Sequence, residues 1–469
     1  MTGHSQRLAE FVAGLGYHDI PTDVIERIKL LAADLVGIAI RARHDADSTP
    51  TLMDAAADLG LGGGDCGVFG GTESFGPLAA AFLNGALGHS LDFDDTHARA
   101  STHPGAPVIP AALAAAEMTG ADGKTLLAGI VAGYETHVRL SLGVVPKEHY
   151  AKGHALTSTC GAFAAAAAAA RVFRLGPDQV EQAFGAALSQ CAGTLQFLQG
   201  GGWGKRFQVG YASLNGLFAA TLARNGYQGP EQPIEGRHGF LNTFSGAPQP
   251  DNVSQGLGTV FETLNVAVKP YPSCRYCHAG TDGVIELARR HDIAPGDVES
   301  VTIGTSHTGW TIIGEPLAEK HRPGNVTAGQ FSMPFCAAVA LIEGGMGWDD
   351  YDRHLNNPDT LALAARVDVV EDARAEQCFP AQMSASVRIV AGGETYETFV
   401  EIPKGEPENF VTPGELNAKF TDLAGPYLPP EKAAALFAAL MQIEDFAAPR
   451  DAFAHAFADA PATPRMAAG

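Results

Sequence analysis

Residues 159–173 read TCGAFAAAAAAARVF, and this stretch decides what kind of fold the chain can have. From Gly161 to Ala170 it is nearly all alanine, the strongest helix former. A helix with side chains this small offers no polar face to water and no bulky stripe to bury. The remaining reading is a helix enclosed closely on all sides. Outward from it, residues 22–42, 77–91, 107–119, 124–140, 177–193 and 209–226 repeat apolar residues at helical spacing, the first after a candidate Thr22 or Asp23 cap. The sequence thus predicts a helical domain over 1–265.

Beyond it the texture changes. Val298 to Thr305 and Val367 to Glu371 read as strands. Residues 384–390 alternate, Gly392-Gly393 turns the chain, and 394–402 follow as the second arm of a hairpin. Helical patterns at 279–291 and 327–344 intervene, so 266–404 read as a small α+β domain. Helical patterning resumes from Pro413, and 405–469 are expected to return to the first domain with a disordered tail from Ala460. The fold class is therefore mainly α, a large all-helical domain plus a smaller α+β one.

The chain has 469 residues and a net charge of -21, from 31 basic and 52 acidic residues. Such a surface repels nucleic acid and anionic lipid. If the substrate is an anion, cations must be gathered locally, and with so few lysines each placement is informative. The first residues lack the basic start and apolar run of a signal peptide. No window of about 18 uninterrupted apolar residues marks a membrane span. The odd count of seven cysteines fits reduced thiols and a cytoplasmic location.

Polar chemistry is concentrated in a few places. Residues 88–97, GHSLDFDDTH, hold three carboxylates and two imidazoles in an otherwise apolar half. They could bind a metal, supply acid and base, or cap helices, since aspartate before threonine often opens one. His103 precedes a Pro-rich helix start, where an imidazole protonates less readily and can serve as a neutral base or donor. His154 stands at the mouth of the alanine-rich helix; a buried, satisfied histidine is the plain alternative, against which Gly153 and the Ser/Thr residues after it favour an exposed loop end. Gly200 to Arg206 is not a phosphate loop, because Gln199 stands at the first motif glycine and Arg206 follows Lys205. What remains is a glycine-rich turn presenting Lys205 and Arg206 as an anion site. Cys274-x-x-Cys277-His278 matches a haem-attachment pattern, but that chemistry belongs to exported proteins. Zinc would need a second ligand pair that the chain lacks. A non-catalytic helical binding or electron-transfer protein is the reading from a different class, which a haem absorption band would support.

Taken together, the stretches GHSLDFDDT (88–96), HPGAPVIPAALAAAE (103–117), GHALTSTCGA (153–162), GKRFQVGYASLN (204–215) and KPYPSCRYCHAGTDGVIEL (269–287) resemble the MmgE/PrpD family. They occur in the family's order and span nearly the whole chain. The resemblance implies a helical domain, an α+β lid, an active site between them, a homodimer, and no metal or organic cofactor. It carries catalytic positions onto Asp92, Thr96, His103, His154, Lys205 and Lys269, and Tyr150 resembles a tyrosine some members bring to the site. Arg206, Arg275 and His278 are further candidates for holding the substrate. The family's methylcitrate dehydratases have asparagine-aspartate before the threonine and tryptophan after it, where this chain has Asp94-Asp95-Thr96-His97. A histidine and a tyrosine of animal cis-aconitate decarboxylases fall on Cys274 and Phe335.

The implied chemistry is loss or movement of a proton alpha to a carboxylate. Fixed cations would stabilise the enolate-like charge, a histidine near neutrality would serve as base, and Asp92 would orient a partner or act as acid/base. The expected activity is a lyase acting on a small di- or tricarboxylate by dehydration, hydration or decarboxylation. The alternative is an epimerase of an imino- or amino-dicarboxylate such as iminodisuccinate. Lys205 and Lys269 are expected to act on one substrate.

Overall fold

A computed structural model describes residues 3–199, 202–453 and 456. Gly200 and Gly201 of the glycine-rich turn, and the tail from Ala460 expected to be disordered, lie outside the described residues. The fold is mainly α, and the chain divides into two compact units, 1–266 with 413–469, and 267–412.

The first unit contains α1 (His4–Gly14), α2 (Thr22–Asp45), α3 (Pro77–Gly88), α4 (Gly105–Thr119), α5 (Gly123–Val144), α6 (Leu156–Val172), α7 (Pro177–Leu188) and α8 (Gly204–Arg224). After the second unit the chain returns with α11 (Pro413–Ala424) and α12 (Pro430–Leu440). α6 is the alanine-rich helix, buried along nearly its whole length, with α4, α5, α7 and α8 packed around it. Its small side chains let neighbouring backbones approach. A Cβ on Gly216 of α8 would lie 2.3 Å from the Ala165 Cβ and 2.5 Å from the Ala166 nitrogen. This is contact at backbone range, which glycine facing alanine permits.

Several boundaries differ from the sequence reading, the end of α7 at Leu188 and not at residue 193 among them. Pro21, and neither Thr22 nor Asp23, occupies the cap of α2, with no side-chain cap hydrogen bond. α3 stops at Gly88 and not at residue 91, so the polar cluster forms a loop of its own. α8 starts at Gly204 and not at 209, which brings Lys205 into its first turn.

The second unit is built on a four-stranded sheet. β1 (Gly62–Gly67) and β2 (Ser74–Phe75) form a small ribbon in the first unit; β3 (Val298–Thr305), β4 (Val367–Glu371), β5 (Ala385–Ala391) and β6 (Glu394–Val400) make the sheet in the order β4-β3-β5-β6. β3 and β4 run parallel, Val301 opposite Val367, and β3 and β5 antiparallel, Ile303 opposite Val387. β5 and β6 are the expected hairpin. Gly392 and Gly393 have φ of 59° and 77°, the two left-handed residues that a tight turn between twisted strands requires. α9 (His278–His291) and α10 (Met333–Glu343) bury Val284, Leu287, Phe335 and Val339 with Val301, Val387 and Ile389 of the sheet. The helix expected over 327–344 breaks before Met333, because the Ser332 hydroxyl accepts from the Phe335 nitrogen and restarts it as a cap. Among the described residues, no helix is long and apolar enough to cross a membrane.

Candidate functional site

The loop between α3 and α4 holds most of the titratable groups singled out in the first unit. It is pinched where the His97 nitrogen donates to the Thr102 carbonyl at 2.9 Å. Asp92 and Ser101 take left-handed backbone conformations, φ 52° and 49°. Such geometry is uncommon outside glycine and persists only where surroundings enforce it. One partner of Asp92 is Lys205, whose Nζ lies 2.6 Å from Oδ1. Lys205 occupies the first turn of α8, the helix end where a cation is disfavoured and an anion favoured. Asp92 offsets that local cost, and the pair is half-open, with Lys205 32% exposed.

Behind this pair is a buried array. The Asp94 Oδ2 lies 2.7 Å from the Nδ1 of His89 and 3.6 Å from the Nδ1 of His103, and the two imidazoles meet edge to face at 4.9 Å. Burial would raise the Asp94 carboxyl, but His89, His103 and Lys205 together hold it well below the usual carboxylate range. Next to it, Asp95 is pushed up to about 8 by burial and by the Asp94 charge, against hydrogen bonds from the Tyr134 hydroxyl and the Gly105 nitrogen. Those bonds measure 2.6 and 3.1 Å. One of two adjacent buried carboxyls is thus ionised at neutral pH and the other holds its proton.

Ligand atoms of His89, Asp94 and His103 all lie within 4.8 Å of one another, so the group could face a cation. The 2.7 Å between His89 and Asp94 is a hydrogen-bond distance. Two ligands on a tetrahedral zinc, each about 2.0 Å from the metal, would stand roughly 3.3 Å apart. The geometry fits a shared proton. A second trio, Glu343, Asp350 and His354, lies in the second unit, where Arg353 pairs with both carboxylates.

The other sequence-selected residues distribute as follows. Thr96 is buried beside the array. Tyr150 donates its hydroxyl to the Ser101 carbonyl at 2.8 Å. Burial raises its phenol, against the Ser101 hydrogen bond and the positive charge of Lys205. His154, partly exposed, bridges to Thr194 and packs edge to face on Phe244 at 4.8 Å; burial and Lys152 lower its imidazole, against a Gly193 backbone bond. The Arg206 guanidinium is engaged by Asp47 and by the Ser48 hydroxyl. Lys269, Arg275 and His278 belong to the second unit. Lys269 is buried, Arg275 forms a two-pronged pair with Glu406, and the His278 Nε2 lies 3.3 Å from the Ser273 carbonyl. The cysteines of the Cys-x-x-Cys-His stretch are free thiols.

Two further histidines stay neutral. Burial lowers His137 to about 3 and, together with His154, lowers His149 to about 4. The His137 Nε2 lies 3.0 Å from the Thr102 hydroxyl, and the His103 nitrogen donates to the Thr157 hydroxyl at 3.2 Å. Tyr134, His137 and Thr157 escaped the sequence reading. The available signal was two polar residues three apart, Tyr134 and His137, on the buried helix α5.

The MmgE/PrpD N-terminal domain model matches residues 6–252 and the C-terminal domain model residues 271–443. A cis-aconitate decarboxylase-like protein of Aspergillus oryzae is 30% identical over 465 residues, 93% of this chain and 94% of its own length. A cis-aconitate decarboxylase of Aspergillus terreus is 30% identical over 452 residues, 90% of each chain. The human cis-aconitate decarboxylase is 26% identical over 302 residues, 62% of this chain and 61% of its own.

Proposed function

Because the chain belongs to the MmgE/PrpD family and is a lyase, we propose that it removes carbon dioxide or water from a small di- or tricarboxylate, cis-aconitate being the first to test. We propose further that its own side chains suffice, without metal or organic cofactor. The observation that carries this reading is the half-open Lys205–Asp92 pair beside the His103–Asp94–His89 array. An arriving carboxylate replaces Asp92 as the partner of Lys205 at a helix end that favours anions. In a decarboxylation, the bond to the departing carboxyl carbon breaks, its electron pair delocalises toward the remaining carboxylate, and a proton is delivered to carbon. In a dehydration, a base takes the alpha proton and the hydroxyl, protonated by a neighbouring acid, leaves as water. Both need a fixed cation for the developing charge and one group that moves a proton. Lys205 is assigned the first task and His103 the second, with Tyr150 as a neighbouring donor.

The test is a panel of cis-aconitate, methylcitrate, itaconate and iminodisuccinate, with products read by NMR in deuterated water. Loss of carbon dioxide or water from one polycarboxylate is expected. Deuterium washing into a substrate of otherwise unchanged composition would replace the reading with an epimerase. Turnover is expected to survive EDTA; activity lost on chelation and restored by one metal would overturn the cofactor-free part.

We also propose a homodimer, supported by an aromatic stripe on the first unit. Trp203 at the cap of α8 and Phe207, Tyr211 and Phe218 along it remain 40–48% exposed, more aromatic surface than one helix face usually leaves to water. Light scattering is expected to give a dimer, and Phe207→Glu to weaken it.

A further inference from the structure

We propose that Asp94 is a positioning residue that orients His103 for proton transfer through a single carboxylate oxygen shared by two imidazoles. The inference rests on His103 being the proton-moving group proposed above. Asp94 Oδ2 is 2.7 Å from one imidazole nitrogen and 3.6 Å from the other, so His89 holds the carboxylate by a hydrogen bond while His103 sits at ion-pair range. The carboxylate is fully buried, and its other oxygen, Oδ1, has no hydrogen-bond partner among the described residues. Burial alone would disfavour this ionised carboxylate, and it is held by the two imidazoles and the lysine around it; helix packing alone does not require such a charge there.

Several charged or titratable groups among the described residues face Asp94. His89 follows α3, His103 precedes α4, and Lys205 comes from α8. Asp34 of α2 and Tyr134 of α5 also feel its charge, and Asp34 is itself paired with Lys419 of α11 at 2.6 Å. Asp95, its neighbour, is hydrogen-bonded to Tyr134. Asp94 thus places a negative charge at ion-pair range, 3.6 Å, from the His103 Nδ1. It acts against the start of α4, where the helix field disfavours an imidazolium. The carboxylate makes His103 able to accept and hold a proton during turnover, which the helix end alone would resist.

Asp94→Asn keeps the shape and removes the charge. Its kcat is expected to fall at least about tenfold, a part of the roughly 10²–10⁴-fold that a general acid–base group contributes, with KM changed less than about threefold. The limb of the pH profile that reports His103 should move to lower pH by one unit or more. Asp94→Glu, restoring the charge, should recover part of kcat. An Asn variant that melts like the wild type and keeps its kcat and pH profile would overturn the proposal, as would loss of activity that a divalent metal restores. Should the Asn variant fail to fold, nitrogen-15 histidine NMR on the wild type decides, with the His103 signal assigned by its loss in His103→Gln. Titration above the ordinary imidazole midpoint of about 6.5 supports the carboxylate's role; titration below it leaves only the helix end and sinks the proposal. If no polycarboxylate in the panel is turned over, the functional reading fails, while the NMR titration still tests the link between Asp94 and His103.

Discussion

Asp94 and Asp95 are sequence neighbours, both buried, yet one is ionised and the other protonated. The difference lies in what each side chain meets. Asp94 faces two imidazoles and the field of a lysine; Asp95 faces a phenol, a backbone nitrogen and the negative charge of Asp94 itself. A stability consequence follows. Between the unfolded value near 4 and about 8, folded Asp95 keeps a proton that the unfolded chain has lost. Its contribution is therefore full below about pH 4, declines as pH rises toward 8, and is flat above. Glu117, pushed up to about 7 chiefly by burial, titrates in the same window, so the difference between two proteins is the quantity to read. The melting temperature of Asp95→Asn relative to wild type is expected to increase from pH 5 to pH 8.5. A difference that does not change with pH would mean that Asp95 ionises normally. Lys205 makes a second prediction at this scale: Lys205→Ala should lower turnover about a hundredfold, the cost of losing one electrostatic contact to the transition state. Lys124→Ala, exposed and outside the site, should leave turnover near normal. Equal rates in both variants would remove Lys205 from the mechanism.

Helix packing around α6 shows which elements a sequence can announce. The alanine run, the Val298–Thr305 strand and the two-glycine hairpin were legible because each rests on a local pattern: small side chains, alternation, and a pair of residues free to adopt positive φ. The start of α8 was hidden, because glycines on both sides of Trp203 mask the apolar period. The site was legible in part. The density of 88–97 marked the loop, but Tyr134 meets Asp95 across 39 residues of chain, and no spacing rule links such a pair. Nor could sequence reveal that Arg206 turns to Asp47 while its neighbour Lys205 turns to Asp92. The tight contact of α6 with α8 is testable. Gly216→Ala gains roughly 1 kcal/mol of helix propensity but drives a Cβ into Ala165 and the Ala166 backbone. Overpacking costs roughly 1–3 kcal/mol, and here the obstructing atoms include backbone, which cannot rotate away. With the upper end of that range applying, a net destabilisation of about 2 kcal/mol in denaturant unfolding is expected. Gly14→Ala, at the open end of α1 with nothing within 4 Å of the new Cβ, should not destabilise. Should Gly216→Ala unfold at the wild-type midpoint, the contact is looser than described.

At the scale of the molecule, the chain carries a net charge of -21 and is proposed to act on a polyanion. Two electrostatic effects then oppose each other. The summed surface charge repels the substrate over long distances, and this repulsion is screened once the Debye length falls from about 30 Å at 0.01 M salt to about 8 Å at 0.15 M. The contact with Lys205 acts at close range in a partly shielded position, where salt screens far less. Adding salt should therefore weaken the repulsion more than the attraction. For the true substrate, kcat/KM is expected to rise severalfold between 10 and 150 mM of a weakly binding salt, mostly through a lower KM. Chloride and sulfate should be compared at equal ionic strength, because sulfate can compete directly for Lys205 and lower the rate. A steady fall in kcat/KM with both salts would mean that the local field of the site reaches beyond the acidic surface, and that the substrate is steered in, as for enzymes with cationic funnels.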